Sequence, residues 1–199
     1  MIGMACGLFM LLVVVIIVHI VVMSREGMSS KTDIMNSAGL TGVAGTIFIQ
    51  QMGKDKSMIT GRVTGLTEGS HGLHISTGAP TTAGDCTTAG VHYNPGSKDH
   101  AGPTVANRHV GDLGNIVANA QGFAPINIDS NMVFIDDRAT SVMGKFFVVT
   151  AGADDLGLGG AADSLTTGNA GAAIACGTIK KGPPPPKKGK GGGPPGGGK

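Results

Sequence analysis

The chain has 199 residues, with 35 Gly, no Trp, one Tyr and six Phe. So many helix breakers and so few large residues exclude a helical bundle; they suit one domain of short strands and turns, with extensions. The formal charge of +2 is uneven, because residues 180–199 hold six Lys and no acid and leave residues 1–179 at −4; no basic patch on the main body points to nucleic acid.

Met4 to Met23 is an apolar run of about the ~20 residues that span a bilayer as a helix. Its one ionisable group, His19, sits near the end and is placed to reach the interface. No Lys or Arg precedes the run, and it exceeds the ~7–15 apolar residues of a signal peptide, although Val22-Met23-Ser24 would pass as a cleavage site. An uncleaved single-pass anchor over residues 1–23 is therefore expected, with Cys6 in or near the membrane as a buried thiol. The side of the membrane stays open, since Arg25 and Lys31 are offset by Glu26 and Asp33.

Residues 24–42 read as a polar spacer or a poor first strand. From Val43 the pattern turns to strands. Thr46–Gln51 and Met58–Thr64 flank the charged turn 54–57 and predict a hairpin. His71–Ile75 is a further short strand. Residues 77–108 lack periodicity, and a loop of that length in a compact domain is functional or disordered. Strands follow at Ile116–Ala118, Ala124–Ile128, Met132–Ile135 and Phe146–Thr150. A second Gly-rich loop covers 152–171, and Ala172–Ile179 closes the series. Many short strands at this spacing predict an antiparallel sandwich or barrel. Residues 180–199, rich in Pro, Gly and Lys, cannot bury a core and are expected to be disordered. Pro183–Pro186 offers a short polyproline segment; a solvated basic tail is the simpler reading.

Five of the six histidines fall between 71 and 109: His71, His74, His92, His100 and His109, with Asp112 three residues on. Imidazole is the commonest metal ligand, and histidines with one carboxylate suit zinc or copper.

Several stretches resemble the Cu/Zn superoxide dismutase family, over residues 43–179. GLTEGSHGLHI is similar to its first copper-ligand strand and CTTAGVHYNPGSKDHAGP to its disulfide and zinc loop. RHVGDLGNI, ADDLGLGG and TGNAGAAIACG follow in the family's order. The resemblance implies an all-β Greek-key barrel of eight strands with two long functional loops, usually dimeric. It places zinc on His92, His100, His109 and Asp112, with His92 also bridging to copper. It places a carboxylate linking the two metal sites on Asp154, a backbone-bonding histidine on His71 and a disulfide on Cys86 and Cys176.

The copper half departs from the pattern. Its ligand positions are His74, Ser76, His92 and Thr150, of which only the two histidines can ligate as imidazoles. The arginine that docks the anion falls on Ala173, and lysines of the second loop fall on Gly152 and Thr166. Dismutation needs a metal that alternately takes and gives an electron, which zinc does not do. These residues point to a membrane-anchored, zinc-binding, catalytically degenerate dismutase-like protein that acts by binding. A second copy, a true dismutase or a copper chaperone are candidate partners through the family's dimer face. Residual copper-dependent dismutase activity is the alternative. A copper-carrier role fits less well, because the three cysteines lie far apart and form no Cys-x-Cys or Cys-x-x-Cys motif.

Overall fold

A computed structural model describes residues 28–36, 42–78, 85–136 and 138–183. The strands are β1 Ser29–Asn36, β2 Ala44–Gln51, β3 Ser57–Thr64, β4 Gly69–Ser76, β5 Asp112–Ala118, β6 Ala124–Ser130, β7 Phe146–Thr150, β8 Ala173–Thr178 and β9 Lys180–Lys181. Among the described residues the helical structure is a 3-10 turn, Cys86–Thr88, and one short helix, α1 Ser164–Thr167. Pairing is antiparallel, in the order β5-β4-β7-β8-β1-β2-β3-β6, with β9 on β1. The two ends of that order are consecutive in sequence. The turn 119–123 joins them, with Asn119 N–H donating to Phe123 O at 3.1 Å. The ladder therefore curls back on itself around one core. This is the all-β Greek-key architecture expected from the sequence.

The expected hairpin forms in full register, from Ala44 opposite Thr64 to Gln51 opposite Ser57. Its alternation sends Ile47, Ile49, Ile59 and Val63 inward, all fully buried, and leaves the charged turn in solvent. Residues directly opposite on antiparallel strands share a face. Thus on β4 and β7, paired through Leu73–Val149 and Ile75–Phe147, those four side chains enter the core. The other face of the same strands carries His74, Ser76, Phe146, Val148 and Thr150. There Phe146 and Val148 join Cys86, Ala89 and Cys176 in a second, small apolar cluster. The functional side chains thus stand on the outer wall, over that cluster and beneath the long loops.

Three expectations need correction. The range 24–42 is not only spacer, because β1 is a full strand that pairs with β2 from Ser29 opposite Gln50 to Met35 opposite Ala44. It also touches β8 and β9. Its sequence lacks an apolar alternation, and cross-strand pairing on both edges supplies what propensity does not. Met132–Ile135 is not a strand. Val133 and Ile135 are buried, but their backbone N–H groups bond Ser130 Oγ at 3.1 Å and Gln51 Oε1 at 3.0 Å instead of a ladder. Lys180 and Lys181, assigned to the tail, form β9. Residues 4–23 and 184–199 lie outside the described residues. Among the described residues no helix is long and apolar enough to cross a membrane.

Candidate metal centre

Strand β4 supplies His71 and His74, the loop before β5 supplies His92, His100 and His109, and Asp112 is the first residue of β5. An isolated bridge between Ser76 and His92 pins the loop to the end of β4. The four residues His92, His100, His109 and Asp112 are buried, and their ligating atoms lie within 4.8 Å of one another. Asp112 Oδ1 is the hub. His92 Nδ1 stands 2.8 Å from it, His100 Nδ1 2.9 Å and His109 Nδ1 3.0 Å. Asp112 Oδ2 accepts the backbone N–H groups of Ala101 at 3.1 Å and His109 at 2.9 Å, which fixes the carboxylate.

The far side of one ring settles its tautomer. His109 Nε2 lies 2.8 Å from Lys98 O, and a carbonyl can only accept, so Nε2 carries the proton. His100 lies between two carboxylates, with Nε2 2.7 Å from Asp154 Oδ1 and Nδ1 2.9 Å from Asp112 Oδ1, so in the metal-free protein both of its nitrogens can hold protons. In neutral His109 the Nδ1 atom is then a bare lone pair aimed at a carboxylate. His109 Nδ1, buried, is out of line for any hydrogen bond. Lone pairs converging on one point repel one another unless a cation sits among them. Three imidazole nitrogens and one carboxylate oxygen also make a tetrahedral zinc-type donor set. The residues fit a metal ion. Without one, protons take its place. Burial alone would lower the pKa of His100, but its hydrogen bonds to Asp112 and Asp154 outweigh that and raise it to about 9. Burial works to raise the Asp112 carboxyl, and the close approach of the His100, His109 and His92 rings overcomes it and holds it far below the carboxylate range.

Around this cluster the loops are clamped. Asn115 Nδ2 donates to Asp154 O, and Asp154 N–H donates to Asn115 Oδ1, both at 2.8 Å. Gly168 ends α1 in the left-handed region, with φ of 67°. A Cβ there would collide with Asp154 Oδ1 and His100 Nε2, so only glycine lets this loop close over the pair. His71 holds backbone on both sides: Nδ1 is 2.9 Å from Thr150 O and Nε2 3.0 Å from Thr67 O. Cys86 and Cys176 form a disulfide across a sequence separation of 90, tying the first long loop to β8. Asn115 and the Lys98 carbonyl were missed in the sequence. Asn115 stood inside the quoted RHVGDLGNI stretch, whereas a backbone carbonyl leaves no sequence signal.

Beside the cluster is a cavity of about 340 Å³, whose lining includes His74, His92, Thr150, Ala172 and Ala173. The rings of His74 and His92 stack, with centroids 3.9 Å apart and planes inclined by 21°. Burial, then the neighbouring His92, hold the pKa of His74 well below the imidazole range, so it is a neutral donor. Ser76 is fully buried outside the cavity lining, its Oγ at 3.5 Å from Gly90 O. Thr150 Oγ1 donates to Gly152 O at 2.9 Å, so its hydroxyl proton is engaged by backbone.

Comparison with known proteins follows the same lines. The family model described as copper/zinc superoxide dismutase (SODC) matches residues 43–179. The chain belongs to the Cu/Zn superoxide dismutase family. It is 44% identical over 152 residues to superoxide dismutase [Cu-Zn] 2 of Brassica juncea, covering 76% of this chain and 97% of that protein. In structure it is similar to the clock protein EA4, with a TM-score of 0.72 and 31% identity, over 78% of this chain and 96% of that one. Within this Cu/Zn superoxide dismutase fold, the cluster around Asp112 resembles a zinc site in full. The neighbouring cavity does not hold four copper donors. It offers two stacked imidazoles, one hydroxyl engaged by backbone and, at Ala173, a methyl group in place of a cation. The second loop, residues 152–171, carries three Asp and no Lys or Arg to draw an anion in, and Leu158 and Leu165 are exposed on it.

Proposed function

We propose that the protein is a zinc-binding member of its family, held at a membrane, that acts by binding another protein and does not turn over superoxide. The observation that carries this reading is the asymmetry between the two halves of the metal centre. His92, His100, His109 and Asp112 form a closed donor set for zinc, while Ser76 and Thr150 present no imidazole to the cavity beside it. Zinc has no redox chemistry, so a zinc-only centre shapes the loops and cannot pass electrons. Attachment to the membrane rests on the apolar run 4–23, which contains no Asp, Glu, Lys or Arg. The partner is a second copy of the chain, an active dismutase or a copper chaperone, docking on the wall of the barrel.

A second reading is favoured by the cavity of about 340 Å³ that His74 and His92 help to line. Copper heads the divalent affinity order, and two imidazoles can retain it weakly. The protein would then keep residual dismutase activity. Metal analysis separates the two. After dialysis against zinc and copper together, the first reading predicts a single tightly held zinc per chain and little copper. Copper retained in equal amount to zinc would overturn it. Extraction of membranes at alkaline pH tests the anchor: the proposal predicts that the protein stays with the lipid, and release into the supernatant would contradict it.

A further inference from the structure

Both ends of the described chain leave the barrel at one place. Ser30 stands opposite Lys181 and Lys31 opposite Lys180 in the β1–β9 pair. Gly182 N–H donates to Ser29 O at 3.2 Å, and Ser29 Oγ donates back to Gly182 O at 2.5 Å. On the other side of β1, Gln51 N–H donates to Met28 O at 2.8 Å. The segment carrying the apolar run 4–23 thus enters the barrel beside the point where the lysine-rich tail departs.

The surface at this end has two further properties. Met28 and Met52 are 46% and 49% exposed at this end, Met28 bonded through its carbonyl to Gln51 N–H and Met52 the residue after Gln51. Most of its cations are matched by acids: Lys31 with Asp33, Lys54 with Asp55, Lys56 with Asp129 and Arg138 with Asp136. Among the described residues, Lys180 and Lys181 have no carboxylate within ion-pair distance. The chain beyond them adds Lys187, Lys188, Lys190 and Lys199 and no acid. A third property is the length of the tether. Met28 is five residues from Met23, the last of the apolar run, and that stretch extends to ~18 Å at most.

We propose that this end of the barrel is a lipid-facing surface, on which Met28 and Met52 meet the headgroups of an anionic membrane and the lysines from Lys180 onward hold it there. The inference rests on the reading of residues 4–23 as an anchor. An anchor with so short a tether leaves only this end within reach of the bilayer. The attraction of lysines to anionic headgroups acts over a Debye length, ~8–10 Å at physiological salt, which the tether length makes accessible. The tail also supplies a second attachment in the same leaflet as the first, an arrangement that orients a domain where a single span leaves it free to swing. Anionic phospholipid is favoured over an acidic protein because the exposed methionines stand at the same end of β1 as the unmatched lysines, and an interface of headgroups and acyl carbons takes both.

The test uses the full chain in nanodiscs of phosphatidylcholine, with or without phosphatidylserine. In a Cys6→Ser background with the disulfide left intact, an environment-sensitive fluorophore is placed by Met52→Cys, or by Leu158→Cys on the loop beside the metal centre. The expected result is a blue shift at position 52 only, present with phosphatidylserine and reversed by high salt. Replacing Lys187, Lys188, Lys190 and Lys199 by Gln, which leaves β9 intact, reduces the shift. No lipid-dependent shift at position 52, or an equal shift at position 158, would overturn the proposal. So would a shift indifferent to lipid charge. Retention in the disc is read separately: protein that never enters the disc refutes the anchor itself, and the inference falls with it; protein that enters without the shift refutes the inference alone.

Discussion

At the residue scale the centre is a contest between protons and a cation. In the metal-free protein His100 has a pKa of about 9, against 6.5 for an unperturbed imidazole. Its raised folded-state pKa adds stability that is fully present below pH 6.5 and is lost as pH rises through about 9. Zinc needs the same nitrogen free of its proton, so its affinity rises over that window. The difference in melting temperature between zinc-loaded and metal-free protein is therefore expected to widen from pH 6.5 to 9; a gap that narrows with rising pH would contradict the assignment of His100. Asp154 touches His100 and not Asp112. Asp154→Asn is expected to weaken zinc by ~10–100-fold in a chelator competition, because the ring loses the carboxylate that fixes its tautomer. The four residues around Asp112 and the cysteine pair were legible in the sequence through motif order and residue type. The protonation of the rings was not, because it depends on Lys98 O within the same loop and on Asp154, which the fold brings in from the second loop.

Among elements, strong alternation made some legible and tertiary pairing made others. The β2–β3 hairpin was readable because each strand's buried face repeats every second residue, and β7 because it is a short run of aromatic and β-branched residues, buried on both faces. Strand β1 was not, since its edges are completed by β2, β8 and β9 and not by its own pattern. The apolar run 132–135 misled, because burial without a neighbouring strand edge yields an irregular segment bonded by Ser130 and Gln51. The disulfide links two elements that also share the small cluster of Phe146, Val148 and Ala89. Cys176→Ser is expected to cost ~2–4 kcal/mol in urea unfolding. It should also loosen the loop that carries His92, so zinc dissociation should accelerate in the same variant; unchanged stability and zinc off-rate would show that the loop is held by other means. Truncation of a core side chain such as Leu73→Ala is expected to cost ~2–5 kcal/mol without a specific effect on zinc, since Leu73 faces away from His74 on the same strand.

For the whole molecule, the barrel puts its metal centre on the outer wall of β4 and β7 and its two chain ends together at the Met28 edge. The family was legible from the ordered motifs between 43 and 179, and the match over those residues agrees. Sequence could not show that the tail and the N-terminal segment leave side by side, because that depends on β9 closing against β1. The most direct test of the account is the rate of superoxide dismutation by the purified protein loaded with zinc and copper, compared with the same amount of free copper. The account predicts no turnover above the free-metal background, since Ser76 and Thr150 leave copper two imidazoles and Ala173 offers the anion no charge. Rapid turnover that tracks with bound copper would contradict it and make the cavity beside His92 a working active site.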